Sequence, residues 1–257
     1  MNVLVTGGTG ALGREVVIDL RGAGHRVRIL SRKSGTGSDW VQGNLATGAG
    51  LDRAVADMGA IVHAASAAAQ PWRLRATDVK GTRRLLEAAK RAHVKHIVYI
   101  SIVGMEGVAY PYYTQKLAAE KIVREGIVPW TILRATQFHT LMETFLGAFC
   151  KIPRLAAVPF GWQFQPVDTR DVATRLTDVV TGEPAGMLPD FGGPEVRTLK
   201  SLADSWLKAR RLNKRLVNFD VPLEFSTQFA QGKLLTPNHK EGKITFEQYL
   251  VRKYGRW

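Results

Sequence analysis

The chain has 257 residues, 45% of them apolar, and a formal charge of +14 at neutral pH. It is long enough to bury a full core, and no apolar run approaches the roughly 20 residues of a membrane-spanning helix. One cysteine, Cys150, excludes an internal disulfide, and with no basic-then-apolar leader ahead of the first apolar run a cytoplasmic chain is expected.

The first element is a strand over 2–6, whose apolar run Val3–Val5 breaks into a turn with glycine at positions 7, 10 and 13 and then into an amphipathic helix near 11–22. A strand, a glycine turn and a helix start in this order suit a dinucleotide. Glycine lets the backbone approach a pyrophosphate, and the free N–H groups at the positive end of the helix face its charge. The residues assigned to that loop are Gly7, Thr9, Gly10, Ala11, Leu12 and Gly13. The second strand, 26–30, ends at Ser31-Arg32-Lys33, where an NAD-preferring site would place a carboxylate for the ribose 2′-hydroxyl. A hydroxyl and two cations instead suit a 2′-phosphate, so the expected cofactor is NADPH/NADP.

Further strands are expected at 39–42, 60–64, 96–101, 129–133 and 163–167, with helices near 50–57, 77–92, 113–125 and 169–180. This alternation predicts an α/β fold, a Rossmann-type doubly wound parallel sheet of about seven strands. Pro153 to Pro166 interrupts the pattern. After Gly186 come shorter pieces: a helix near 198–211, a strand around 217–221 and a helix opening at Thr245. These pieces suggest one domain over 1–257 with a small C-terminal substrate cap built from segments near 140–165 and 187–257. The densest basic run, Lys208-Ala-Arg-Arg-Leu-Asn-Lys-Arg215, has no interleaved aromatics and reads as a solvated helix face, which argues against a nucleic-acid partner. No membrane partner is expected either, and the oligomeric state stays open.

The loop Thr6-Gly-Gly-Thr-Gly-Ala-Leu-Gly13 resembles that of the short-chain dehydrogenase/reductase superfamily, in its extended and atypical branches. Ile61-Val-His-Ala-Ala-Ser66 is similar to the family's fourth strand and turn, which implies cofactor contacts at Ala64, Ala65 and Ser66. Gly43-Asn44-Leu45 resembles the family's Gly-Asp-Leu, which implies an adenine contact at Asn44 and Leu45, and Asp78-Val-Lys-Gly-Thr82 resembles Asn-Val-x-Gly-Thr with Asp78 in place of Asn. Leu133-Arg-Ala-Thr-Gln-Phe-His139 and Val167-Asp-Thr-Arg-Asp-Val172 resemble segments of NmrA-like proteins.

Tyr112-Tyr-Thr-Gln-Lys116 matches the family's Tyr-x-x-x-Lys. Residues four apart share a helix face, and an ammonium beside a phenol is expected to lower its pKa and ready it for proton transfer. The resemblance also gives Lys116 the nicotinamide ribose and gives Ser101, after the fifth strand, the substrate oxygen; Ile102 stands where a second hydroxyl residue is common. Gln137 and His139, after the sixth strand, are the expected substrate contacts. His93 and His96 have no third ligand at suitable spacing, so no metal site is expected. The resemblance implies an NADPH-dependent oxidoreductase that passes hydride to a carbonyl or similar double bond of a small-molecule substrate. The alternative is a non-catalytic NADP(H) sensor acting through protein partners, as in some NmrA-like proteins.

Overall fold

Residues 1–35 and 37–256 are described by the computed structural model. The apolar runs form strands, most of them buried on both faces except at the β3 edge: β1 (Asn2–Thr6), β2 (Arg26–Ser31), β3 (Trp40–Gln42), β4 (Ala60–His63), β5 (His96–Ile102) and β6 (Trp130–Ala135). Between them run α1 (Ala11–Gly22), α2 (Leu51–Val55), α3 (Lys80–Arg91) and α4 (Pro111–Arg124). A π-helical turn, Arg75–Val79, leads directly into α3. Pro111 opens α4 at the position where its missing N–H leaves no bond unmade.

Later elements are α5 (His139–Phe149), β7 (Leu155–Val158), β8 (Gln163–Phe164), α6 (Thr169–Thr181), β9 (Gly186–Met187), β10 (Arg197–Thr198), α7 (Leu199–Ala209), β11 (Arg215–Asn218), α8 (Glu224–Ala230) and α9 (Phe246–Tyr254). A seven-stranded parallel sheet runs in the order β3-β2-β1-β4-β5-β6-β9. The chain winds outward from β1 to β3, then restarts at β4 on the other side of β1. That switch between β1 and β4 opens a crevice at the carboxyl ends of the strands, where ligands bind in open α/β sheets.

Two compact units are resolved. The first comprises Met1–Ser101, Tyr110–Arg134 and Val172–Pro189, and the second Ile102–Ala109, Ala135–Asp171 and Asp190–Trp257. Leu4, Leu30, Leu85, Ile97, Tyr99 and Ile132 lie in the core of the first unit, each less than 5% exposed. The expected cap segments fall in the second unit, apart from 187–189.

The strand expected at 163–167 is not the seventh of the sheet. Only Gln163–Phe164 is strand; it pairs antiparallel with β10, and the seventh place goes to Gly186–Met187. Pro166 has no N–H to give a ladder, and Gln165 turns its side chain to backbone groups of Gly193, Thr236 and His239 instead. Within the segment expected as cap, 139–149 is helix and Leu155–Val158 pairs in parallel with Arg215–Asn218. The strand expected at 217–221 is thereby drawn two residues earlier, and its pairing ends at Val158, just ahead of Pro159.

Candidate active site

The loop after β1 is shaped by backbone contact. Gly7 has φ of +72°, and a Cβ there would lie 2.8 Å from the Ala64 carbonyl group. A Cβ on Gly13 would fall 2.1 Å from the Gly7 oxygen, so both positions exclude any side chain. Gly10 N donates to Gly7 O at 2.8 Å and serves as N-cap of α1. No side chain caps that helix and no acid occupies its first turn, which suits an anion at its free N–H groups.

A hollow of about 290 Å³ lies in front of the loop. Among the expected residues, Gly7, Thr9, Gly10, Ser31, Arg32 and Lys33 line it, joined by Asn44, Leu45, Ala64, Ala65 and Ser66. Ala11, Leu12 and Gly13 do not line it; Leu12 and Gly13 are buried in the first turn of α1. Thr6, Leu30, Gly43, Ala67 and Thr77 complete the wall and were not expected. No Asp or Glu is among the lining residues. A second hollow shares Arg32, Gly43 and Asn44 with the first and adds Gln42, Thr47, Ala49 and Arg53, the last a second guanidinium carried by α2. The Asn44 amide oxygen accepts from Ala46 N at 3.0 Å, which leaves it one further lone pair. The glycine cradle, the uncapped helix start and the acid-free wall fit a nicotinamide dinucleotide.

Tyr112 and Lys116 lie one turn apart on α4. The Tyr112 phenol oxygen accepts a hydrogen bond from Ser66 Oγ at 3.3 Å, which brings it to the rim of the first hollow. Lys116 is buried; its Nζ donates to Ile100 O at 2.8 Å and rests 4.1 Å from the centroid of the Tyr99 ring. Tyr113 is buried instead and packs edge-on against Tyr110 at 5.2 Å.

The phenol's pKa moves opposite to expectation. Burial pushes Tyr112 up to about 12, with Asp78 and Tyr110 adding to the rise and only Ser66 opposing it. Lys116 does not reverse this, because its ammonium faces the Ile100 carbonyl and the Tyr99 ring. Burial in turn lowers Lys116 to about 8, against the pull of Asp78 and Glu120. Glu120 is itself held by a two-bond pair with Arg134, at 2.9 and 2.7 Å.

Ser101 is buried, and its Oγ has no hydrogen-bond partner among the described residues. The hydroxyl that reaches the phenol is Ser66, which the sequence pointed to only as a cofactor contact. Asp78, 1% exposed, projects from the π-helical turn; Oδ2 accepts from Ala67 N at 2.9 Å and Oδ1 has no partner among the described residues. Beneath it, His63 is fully buried between Thr6 Oγ1 (2.6 Å, at Nδ1) and Thr82 Oγ1 (2.9 Å, at Nε2). Thr82 donates its own proton to Asp78 O at 2.5 Å, so it accepts from His63 Nε2–H, and Nδ1 accepts from Thr6. Burial, aided by Lys116, lowers His63 to about 3.

Gln137 and His139 belong to the second unit. Gln137 Nε2 donates to Leu234 O at 3.0 Å and its oxygen accepts from Gln165 N at 3.3 Å. His139 Nε2 donates to Ile244 O at 3.0 Å, and its ring packs beside Phe246 and Tyr249. Among the described residues there is no cluster of three metal-ligating side chains and no helix long and apolar enough to cross a membrane.

Residues 7–144 match a family described as NAD(P)H-binding. The chain belongs to that family. It is 32% identical over 207 residues to a (4-alkanoyl-5-oxo-2,5-dihydrofuran-3-yl)methyl phosphate reductase of Streptomyces griseus, covering 77% of this chain and 70% of the relative. It is 29% identical to a ceramide reductase of Caulobacter vibrioides, over 68% of this chain and 59% of that one. A photosystem II assembly factor of Synechocystis is 31% identical over 58% of this chain, which spans about half (48%) of that relative's length. A short-chain dehydrogenase/reductase superfamily protein of Agrobacterium tumefaciens, solved with bound NAD, has the same fold: TM-score 0.74 at 21% identity, covering 99% of this chain and 96% of that one. The family match and the dinucleotide fold make this a chain for a nicotinamide cofactor, and reductases stand among its relatives.

Proposed function

We propose that the chain is an NADPH-dependent reductase that delivers hydride to a carbonyl, or a similarly polarised double bond, of a small organic substrate. The observation that carries this reading is the Tyr112 phenol at the rim of the hollow, joined to the lining residue Ser66 and one helical turn from the buried Lys116 ammonium. The loop from Gly7 to Gly13 and the start of α1 would hold the pyrophosphate, and Asn44 and Leu45 the adenine. Ala64, Ala65 and Ser66 would line the cofactor, with Lys116 at the ribose next to the nicotinamide. Ser31, Arg32 and Lys33 would take the 2′-phosphate, in a wall without a carboxylate to repel it. The bound nicotinamide supplies the hydride.

Tyr112 holds a proton for the oxygen that gains charge as hydride arrives. With its pKa near 12 the phenol is protonated at neutral pH, which suits a donor in reduction better than a base in oxidation. Lys116, turned to the Ile100 carbonyl and charged below about pH 8, is given to the ribose rather than to the phenol. Ser66 fixes the phenol by its hydrogen bond, and the buried hydroxyl of Ser101 is in reserve for the substrate oxygen. Gln137 and His139 stay outside this reading, since both are buried and hydrogen-bonded within the second unit.

The test is NADPH consumption against a panel of aldehydes, ketones and enones. Tyr112→Phe should lower kcat by about 10²–10⁴-fold, the usual reach of a general acid, while NADPH still binds. Undiminished turnover in that variant, or a parent that binds NADPH and reduces no member of the panel, overturns the reading.

A further inference from the structure

The second unit carries a cationic surface that dinucleotide chemistry does not use. Residues 144–167 and 205–219 contain no Asp or Glu. The fold lays these two stretches side by side: β7 pairs with β11 from Leu155 and Arg215 onward, Arg215 N donates to Arg154 O at 2.9 Å, and Lys214 Nζ donates to Ile152 O at 2.7 Å. Arg210 joins the same patch: burial raises the Cys150 thiol, and Lys214 and Arg210 are both near enough to oppose it. The surface thus presents Lys151, Arg154, Arg210, Arg211, Lys214 and Arg215. None of the six has an ion-pair partner among the described residues.

Apolar side chains stand uncovered among these cations. Ile152 is 52% exposed and Leu155 38%. Phe219, whose N–H continues the pairing onto Val158 O, is 47% exposed. Concentrated positive charge around exposed aliphatic side chains is the chemistry of a bilayer surface, with cations at the headgroups and apolar tips at the acyl boundary. A nucleic acid would leave Ile152 and Leu155 without a role. A second copy meeting this face would set cation against cation.

We propose that this surface is a peripheral docking site for an anionic lipid bilayer. Lys151, Arg154, Arg210, Arg211, Lys214 and Arg215 meet the headgroups, and Ile152 and Leu155 enter the boundary beneath them. This replaces the solvated-face reading of Lys208–Arg215, because the second half of the surface, 151–155, is distant in sequence and arrives only through the β7–β11 pairing. The proposal does not rest on Tyr112 or on turnover.

Flotation of the full chain with phosphatidylcholine vesicles, with and without phosphatidylglycerol, tests it. The chain should float with the anionic vesicles alone and leave them as salt is raised. Each cation near such a surface contributes about fivefold to partitioning, so Lys151→Gln/Arg211→Gln/Arg215→Gln together should lower it about 100-fold. Ile152→Ser should lower it about tenfold without changing the salt dependence. Circular dichroism checks that the variants fold; if the triple variant does not, the salt response of the parent and Ile152→Ser decide. Equal flotation with both vesicles, or parent-like flotation of the folded triple variant, overturns the proposal. So does a parent that ignores vesicles but binds duplex DNA through the same three residues, which would make the surface a nucleic-acid site.

Discussion

Glu143, in α5 of the second unit, accepts hydrogen bonds from Trp206 Nε1, Tyr249 OH, Lys253 Nζ and Tyr254 OH. Asp78, in the π-helical turn of the first unit, accepts one, from Ala67 N, and its other oxygen is buried with no partner among the described residues. Burial works to raise the Glu143 carboxyl, but its four donors outweigh burial and hold it below the ordinary range. A carboxylate satisfied on every side ties α5 to α7 and α9 and contributes to folding. One left open in a buried site weakens the fold, and such groups gather where chemistry is done. Glu143 therefore serves the stability of the second unit, whereas Asp78 in the first is left open beside the candidate site.

The largest effect that could break this contrast is on folding. Glu143→Ala strips four donors of their acceptor, and with Lys253 free to return to water the loss should be about 3 kcal/mol of unfolding free energy in urea. An unchanged urea midpoint would mean that the cluster contributes nothing. Arg32→Ala should do the reverse. Its side chain lines both hollows of the first unit, so unfolding should shift by less than about 0.5 kcal/mol. The NADPH affinity should nevertheless fall about tenfold or more, one charge-assisted bond's worth, with NADH affinity nearly unchanged; calorimetric titration of both cofactors reads this directly. Equal loss for the two cofactors would remove Arg32 from the 2′-phosphate.

Asp78→Asn is the smallest change and the sharpest. The amide oxygen can keep the Ala67 bond, so stability should stay within about 1 kcal/mol. The carboxylate, however, raises the Lys116 pKa, which stands at about 8. Without it Lys116 loses its proton at lower pH, and the alkaline limb of the turnover profile should move down from about 8. A limb that stays in place would show that Asp78 does not act on the lysine.

The first unit is the part that its sequence makes legible, because most of its determinants are local. Gly13 answers to a backbone contact within its own loop and Gly7 to Ala64 at the end of the neighbouring strand β4, and most strands read as apolar runs because both faces of the sheet are covered. The second unit is assembled from distant pieces. Trp162 meets Phe229 at 5.1 Å and Phe164 at 6.3 Å, contacts whose partners lie as far as 67 residues apart in the chain, and its strands β8 and β10 are two residues long. No period survives in so short a strand. The same limit applies within the site. The Tyr-x-x-x-Lys spacing places two residues on one helix face, but the Ser66–Tyr112 bond and the open oxygen of Asp78 depend on side-chain directions set by the π-helical turn and the loop after β4. The phenol's shift runs against the direction that the spacing implies, because spacing reveals a neighbouring charge and conceals the extent of burial.

The column from Thr6 through His63 to Thr82 has a consequence for how the protein answers acid. With both ring nitrogens engaged by threonine hydroxyls and its pKa near 3, His63 remains an uncharged strut between β1, β4 and α3 across the whole range in which histidines ordinarily switch. A proton near pH 6 finds no seat there. Any acid-side inflection in cofactor binding or turnover therefore belongs to the substrate or to another side chain, and this imidazole, shut off from solvent, should also resist acylating reagents that modify exposed histidines.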